Sequence, residues 1–173
     1  MSSTTELADP KAIGLDVEDL VVGTVDALAA AEDDDAHHDA VVTELLCPSL
    51  VDADVPVVFC GTPLVPVGAH VEIKACKRWT SDGPGRSRGR WVLKGRDDGQ
   101  HAALLDGASY YALAVYETTP GDERVLVAIA VIPASLLDEH LRGRWRETDR
   151  REGTLAKLGW PHLLGRVLGG EPA

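Results

Sequence analysis

The sequence predicts one α/β domain with a central mixed β-sheet flanked by helices. Segments with helical spacing and segments rich in β-branched residues follow one another in the order helices, strands, helix, strands, helix. At 173 residues and 45% apolar content, the chain suffices for one core. Neither an internal repeat nor a linker divides it.

Taken in order, residues 1–14 read as a flexible tail, which leaves 15–173 for the domain. From Asp16 to Ala31, Val17, Leu20, Val21 and Leu28 recur at helical spacing, with Glu18 and Asp19 placed in a first turn. EDDDAHHD, residues 32–39, is an acidic break, and a second short helix is expected over Ala40–Leu46, ending before Pro48. VDADVPVVFCG reads as a strand entered from Asp52 and Asp54, and AHVEIKACK as the next. WTSDGPGRSRG is expected to be a mobile Gly/Ser/Arg loop and GRWVLKG a short strand. A helix over Asp97–Gly107 would be capped by Asp97 or Asp98. SYYALAVYE and RVLVAIAVIP are strands joined by the turn TPGDE, SLLDEHL is a helix, and Leu158–Leu164 closes the chain as a strand or helix.

The net charge is -11, from 28 acidic and 17 basic residues, and only five of the bases are Lys. An acidic, Lys-poor surface suits a halophilic protein. Cys47, Cys60 and Cys76 form no CxxC pair, which argues against a disulfide framework or a typical zinc site. No apolar run could cross a bilayer and the N-terminus does not read as a secretory signal, so a cytoplasmic protein away from membranes is expected.

The charge is unevenly spread. Residues 1–72 hold fifteen acids and one base, Lys11, whereas residues 74–96 hold eight bases and one acid, Asp82. A polyanion such as nucleic acid is the natural partner of that basic stretch; the alternative is a solvated loop pairing with the acidic half. Lys77, Arg78, Arg86, Arg88 and Arg90 are the candidate phosphate contacts. Trp79 and Trp91 flank the stretch, where they could stack on bases or simply pack.

The basic stretch grows out of VEIKACKRW. On a strand, Val71, Ile73 and Ala75 point to one face and Glu72 and Lys74 to the other. A carboxylate there can bind a hard divalent cation such as Mg²⁺, and an amine two residues on can orient or deprotonate a water or balance charge on a phosphate. A second carboxylate is expected from the preceding strand, at Asp54 or Asp52, and a third from Glu44. A plain Glu72–Lys74 ion pair is the structural alternative.

The order Glu44, Asp54, then E-I-K at 72–74, the helix near 98–107 and SYYALAVYE resembles the PD-(D/E)xK nuclease superfamily, the restriction-endonuclease-like fold, over residues 40–132. LVPVGAHVEIKAC with GRWVLK, QHAALL and YYALAVYE also resembles small haloarchaeal nuclease-like proteins, and Holliday-junction resolvases belong to the same superfamily. The resemblance implies a metal-dependent DNA endonuclease using Mg²⁺, with Mn²⁺ as substitute. It implies Asp54 and Glu72, assisted by Glu44, as metal ligands and Lys74 as the catalytic lysine, with duplex or branched DNA as substrate and a homodimer as one state it allows. Gln100 and His101 are expected to approach the site from the helix; a Gln does this in RecB-like branches, but the Tyr spacing that goes with it there is not matched here. Asp9-Pro10-Lys11 also fits (D/E)-x-K, but Pro10 is incompatible with a central strand. The alternative function is an inactive module of the same fold that binds nucleic acid or a protein. No G-x-S-x-G elbow or P-loop supports other chemistries.

Overall fold

Long runs of β-branched and small apolar residues in the middle of the chain set the architecture. In the computed structural model, which describes residues 10–33, 37–82 and 84–169, they form the heart of a six-stranded sheet. The chain begins with α1 (Pro10–Thr24), β1 (Leu28–Ala30), β2 (Ala40–Val42) and β3 (Val57–Phe59). Then come β4 (His70–Lys77), β5 (Trp79–Asp82), β6 (Gly85–Arg88), β7 (Arg90–Lys94) and α2 (Gln100–Asp106). β8 (Tyr110–Thr118), β9 (Arg124–Pro133), α3 (Ala134–His140), β10 (Arg146–Glu147), β11 (Thr154–Gly159) and α4 (Pro161–Leu168) complete it.

The large sheet has the order β1-β2-β4-β8-β9-β3. β4 runs parallel to β8 and β3 parallel to β9, while the other pairs are antiparallel. The sheet is mixed and helices flank it, as the sequence predicts. β10, β11 and β7 form a separate three-stranded sheet, and β5 and β6 a hairpin.

The sheet is covered on both faces, which explains the near-continuous apolar runs of β8 and β9. On one face Val17 and Val21 of α1, with Val25 just after it, meet Val71, Ile73, Ala112, Ala114, Ile129 and Val131. On the other, Leu113, Val115, Ala130 and Ile132 meet Leu104 of α2, Leu137 of α3, Trp91 and Leu93 of β7, Leu158 of β11 and Leu164 of α4. Leu113 is fully buried, so its truncation to Ala is expected to cost about 2–5 kcal/mol.

Several elements differ from the sequence reading. The first helix spans Pro10–Thr24, so Glu18 and Asp19 lie in its middle and the dipole has no part in placing them. Residues 10–14 of the expected tail are therefore helical, while residues 1–9, including Asp9 of the second (D/E)-x-K match, lie outside the described residues. The segment expected as a helix over Ala40–Leu46 holds no helix: Ala40–Val42 is β2, where pairing with β1 and β4 suits its two valines, and Leu46 bridges to Val65. The expected mobile loop is the β5–β6 hairpin, with the Thr80 and Ser87 hydroxyls hydrogen-bonded across it at 2.9 Å. Neither Asp97 nor Asp98 caps α2, whose N-cap is Gly99. Both closing alternatives occur in succession, as β11 and α4.

Candidate active site

The site begins where two strands part. β2 pairs with β4 only through Ala40↔Val71 and Val41↔His70. The Asp39 amide still donates to the Val71 carbonyl at 3.0 Å, but past that point β4 has no strand on this edge. The next outward-facing amide, that of Ile73, donates instead to Asp39 Oδ2 at 2.8 Å. A side-chain carboxylate thus replaces a strand carbonyl and is fixed against the strand that carries Glu72 and Lys74. On its other edge β4 is paired with β8 from Val71 to Lys77, so the strand is held straight through the motif.

The two-residue alternation sends Val71 and Ile73 into the α1 side of the core and Glu72 and Lys74 to the opposite face. That face is covered as well: Glu72 is only 1% exposed. Its Oε1 accepts from Lys74 Nζ and, at 2.6 Å, from Gln100 Nε2 at the start of α2. Its Oε2 is buried and has no hydrogen-bond partner among the described residues. Burial, opposed by Lys74 and reinforced by the neighbouring Asp39 carboxylate, pushes the Glu72 carboxyl up to about 8. Glu18, in the middle of α1, lies within electrostatic reach of Asp39 and Lys74. Partial burial, then Asp39, raise its carboxyl to about 7, against the pull of Lys74. Three carboxyl groups and one amine therefore share one electrostatic neighbourhood, and two of the acids are held partly protonated by the company they keep.

The profile of the PD-(D/E)XK nuclease superfamily domain matches residues 3–164, which takes in α1, the strand fork and the E-I-K strand. The chain belongs to the PD-(D/E)XK nuclease superfamily. No curated protein and no solved structure matches it.

In this superfamily member a row of buried polar groups lies behind Glu72. Tyr111 of β8 is the ladder neighbour of Glu72. Its hydroxyl is 2.7 Å from His101 Nδ1, and His101 Nε2 is 3.1 Å from Asp138 Oδ1 on α3. Burial lowers the His101 pKa more than Asp138 raises it, so the ring is neutral. Asp138 Oδ1 accepts from the ring, which puts the ring proton on Nε2 and leaves Nδ1 to accept from the Tyr111 hydroxyl. Burial raises the Tyr111 phenol, so that donor persists. The row ties α2, and with it Gln100, to α3 and to β8, the strand next to the one bearing Glu72.

The sequence-predicted residues fall in three places. Glu72 and Lys74 are together in the fork. Asp54, Asp52 and Glu44 are elsewhere, all exposed. Asp54 precedes β3, which β8 and β9 separate from β4, about 14 Å at ordinary strand spacing. Glu44 and Asp52 line a different pocket, beyond the opposite end of β2. Lys77 and Arg86 border a further pocket with Trp79 and Tyr116. Arg78 is committed internally, donating to Glu117 Oε1 at 3.2 Å and to the Leu168 carbonyl at 3.1 Å.

Sequence reasoning brings His101 toward the site from its helix but does not find Asp39, Glu18, Tyr111 or Asp138 as parts of it. The only sequence signal for Asp39 is its position at the end of an acidic run directly before AVV. Trp91, one of the two candidates for base stacking, is fully buried and donates to the Ala114 carbonyl at 2.8 Å.

The donor set at the fork is entirely oxygen, the preference of a hard divalent cation. The partnerless Glu72 Oε2, facing a second carboxylate in a buried setting, lacks either a proton or a cation. Among the described residues no three His, Cys, Asp or Glu side chains stand ready to hold one ion. Asp39 and Glu72 are the residues that would hold such a cation. No helix among the described residues is long and apolar enough to cross a membrane.

Proposed function

We propose that the protein is a divalent-cation-dependent DNA endonuclease whose centre is Asp39, Glu72 and Lys74, with Glu18 as an outer carboxylate. The buried Glu72 carboxyl set against the Asp39 carboxylate carries this reading, because a plain Glu72–Lys74 ion pair needs no second acid beside it. Asp39 and Glu72 would hold the cation, Mg²⁺ or Mn²⁺, which when bound supplies Lewis acidity and a more acidic water. Asp39 is kept in position by the Ile73 amide and Glu72 by Gln100. Lys74 Nζ, already at the Glu72 carboxylate, is placed to hold the attacking water or to stabilise charge growing on the phosphate. Glu18 accepts a proton or a water at the rim. The exposed cations of the β5–β6 hairpin steady the DNA backbone.

The test uses supercoiled plasmid and a four-way DNA junction in high KCl, with Mg²⁺, Mn²⁺ or EDTA. Cleavage is expected with either metal and absent in EDTA, and lost in Glu72→Gln, Asp39→Asn and Lys74→Ala. The faster-cut DNA names the preferred substrate. Binding without cleavage under every condition would replace the enzyme by a nucleic-acid-binding module of the same fold.

A further inference from the structure

A second charged feature lies beyond the far end of β4, in a pocket of about 500 Å³. Arg86 and Arg88 from the β5–β6 hairpin, Arg90 of β7, Arg144 from the segment after α3, and Lys157 of β11 all line it. No lining residue is acidic, in a chain with 28 acidic residues. Among the described residues Arg86, Arg90, Arg144 and Lys157 have no carboxylate partner. Three separate stretches of chain, residues 86–90, Arg144 and Lys157, thus bring cations to one concavity at an electrostatic cost that an anion would offset.

The pocket is built into the fold. Gly89 joins the hairpin to β7, and a Cβ there would lie 1.7 Å from the Lys77 carbonyl oxygen, so only glycine permits the approach. The Trp160 indole donates to the Arg78 carbonyl at 2.8 Å and its amide to the Gly89 carbonyl at 3.3 Å, which ties the root of the hairpin to the turn between β11 and α4. Trp160 is 1% exposed and meets Trp79 edge to face, with ring centroids 6.2 Å apart. Trp79 lines the pocket, and the Arg86 guanidinium sits 4.8 Å from its ring centroid. On the opposite wall Arg144 Nη2 is 3.4 Å from His162 Nε2.

We propose that this pocket binds the terminal phosphate of a nucleic-acid strand, an inference that rests on the nuclease reading above for the class of ligand. It cannot hold the phosphate being cut: seven residues of extended chain separate Glu72 from Trp79, roughly 20 Å. An internal phosphodiester brings one negative charge, and a strand running along a surface meets cations spread out along its path. A terminal monoester brings nearly two charges and three free oxygens at one point, which matches convergent cations in a single pocket. Trp79 offers the last base an aromatic face.

The test is fluorescence anisotropy in EDTA, where no cleavage enters. The same single-stranded and duplex oligonucleotides would end in a 5′-phosphate, a 3′-phosphate or only hydroxyls. One phosphorylated end is expected to bind about tenfold tighter than the hydroxyl end, and which end it is identifies the polarity. Arg90→Gln with Lys157→Gln, both exposed positions, is expected to abolish the preference. Equal affinity of wild type for all three ends, or a preference that survives Arg90→Gln with Lys157→Gln and also Arg144→Gln, overturns the proposal. Cleavage of closed circular plasmid, which has no ends, reports on the nuclease reading separately.

Discussion

The two ends of β4 are opposites. At its start, carboxyl groups from α1, the β2 edge and β4 itself crowd into a buried fork, and two of them are held near neutrality by desolvation. Beyond its finish, cations line an open pocket without acids among them. A buried acid can shed its charge by keeping a proton, so the fork tolerates its own crowding. Arginines cannot neutralise, so the basic end must stay open to water or to an anion. In the proposed nuclease one end would take up a cation and the other an anion, and a polyanionic substrate with a divalent metal would supply both.

The largest expected effect is on the acidic end. Lys74→Ala should lower plasmid cleavage by at least about 10²–10³-fold while the protein stays folded, because Gln100 still holds Glu72. Retained activity would dissolve the contrast between the two ends. Asp39→Asn set against Asp54→Asn sharpens it: single-turnover cleavage should fall about 10–100-fold or more in the first and stay within about twofold in the second.

Acidity offers a third test. Glu72 and Glu18 have folded-state values near 8 and 7, against 4.5 for an unperturbed Glu. Between pH 4.5 and about 8 the folded protein keeps protons that the unfolded chain has released. Stability without metal should therefore fall as pH rises through that window, and Glu72→Gln should flatten the fall in urea titrations. Divalent metal should reverse it at about pH 8 by taking the place of the proton. Behind the fork, His101→Ala leaves the Tyr111 hydroxyl buried without its acceptor, and should cost about 1–3 kcal/mol in urea denaturation. At the basic end, Arg86, Arg88 and Arg90 to Ala together should weaken duplex binding and reduce its salt slope by about 0.9 for every phosphate no longer neutralised. An unchanged slope would remove the hairpin from the DNA interface.

The sequence makes part of this site plain and hides the rest, for physical reasons. E-I-K is legible because strand alternation puts Glu72 and Lys74 on one face whatever the tertiary structure. β8 and β9 are legible because strands buried on both faces leave an unbroken apolar record. Asp39 is not legible: its role arises where β2 departs from β4, and three-residue strands such as AVV leave almost no periodic signal. Spacing favours Asp54 because it precedes a strand that runs just before Glu72 in the chain. That strand joins the sheet at its far edge, a matter of topology that spacing does not encode. Periodicity puts Glu18 on a helix but in the wrong turn, which conceals that it projects from the stretch of α1 lying against β4 and not from a free end.

The glycine at position 89 has a consequence for product length. With no room for a Cβ, the root of the hairpin packs directly on the Lys77 carbonyl at the end of β4. In the proposed nuclease the carboxylates and the basic pocket are then two marks on a ruler, their separation set by the residues between Glu72 and Trp79. An enzyme so built would release fragments of nearly constant size from a phosphorylated end. Relaxing the junction would blur the size of the fragments before it slowed their release.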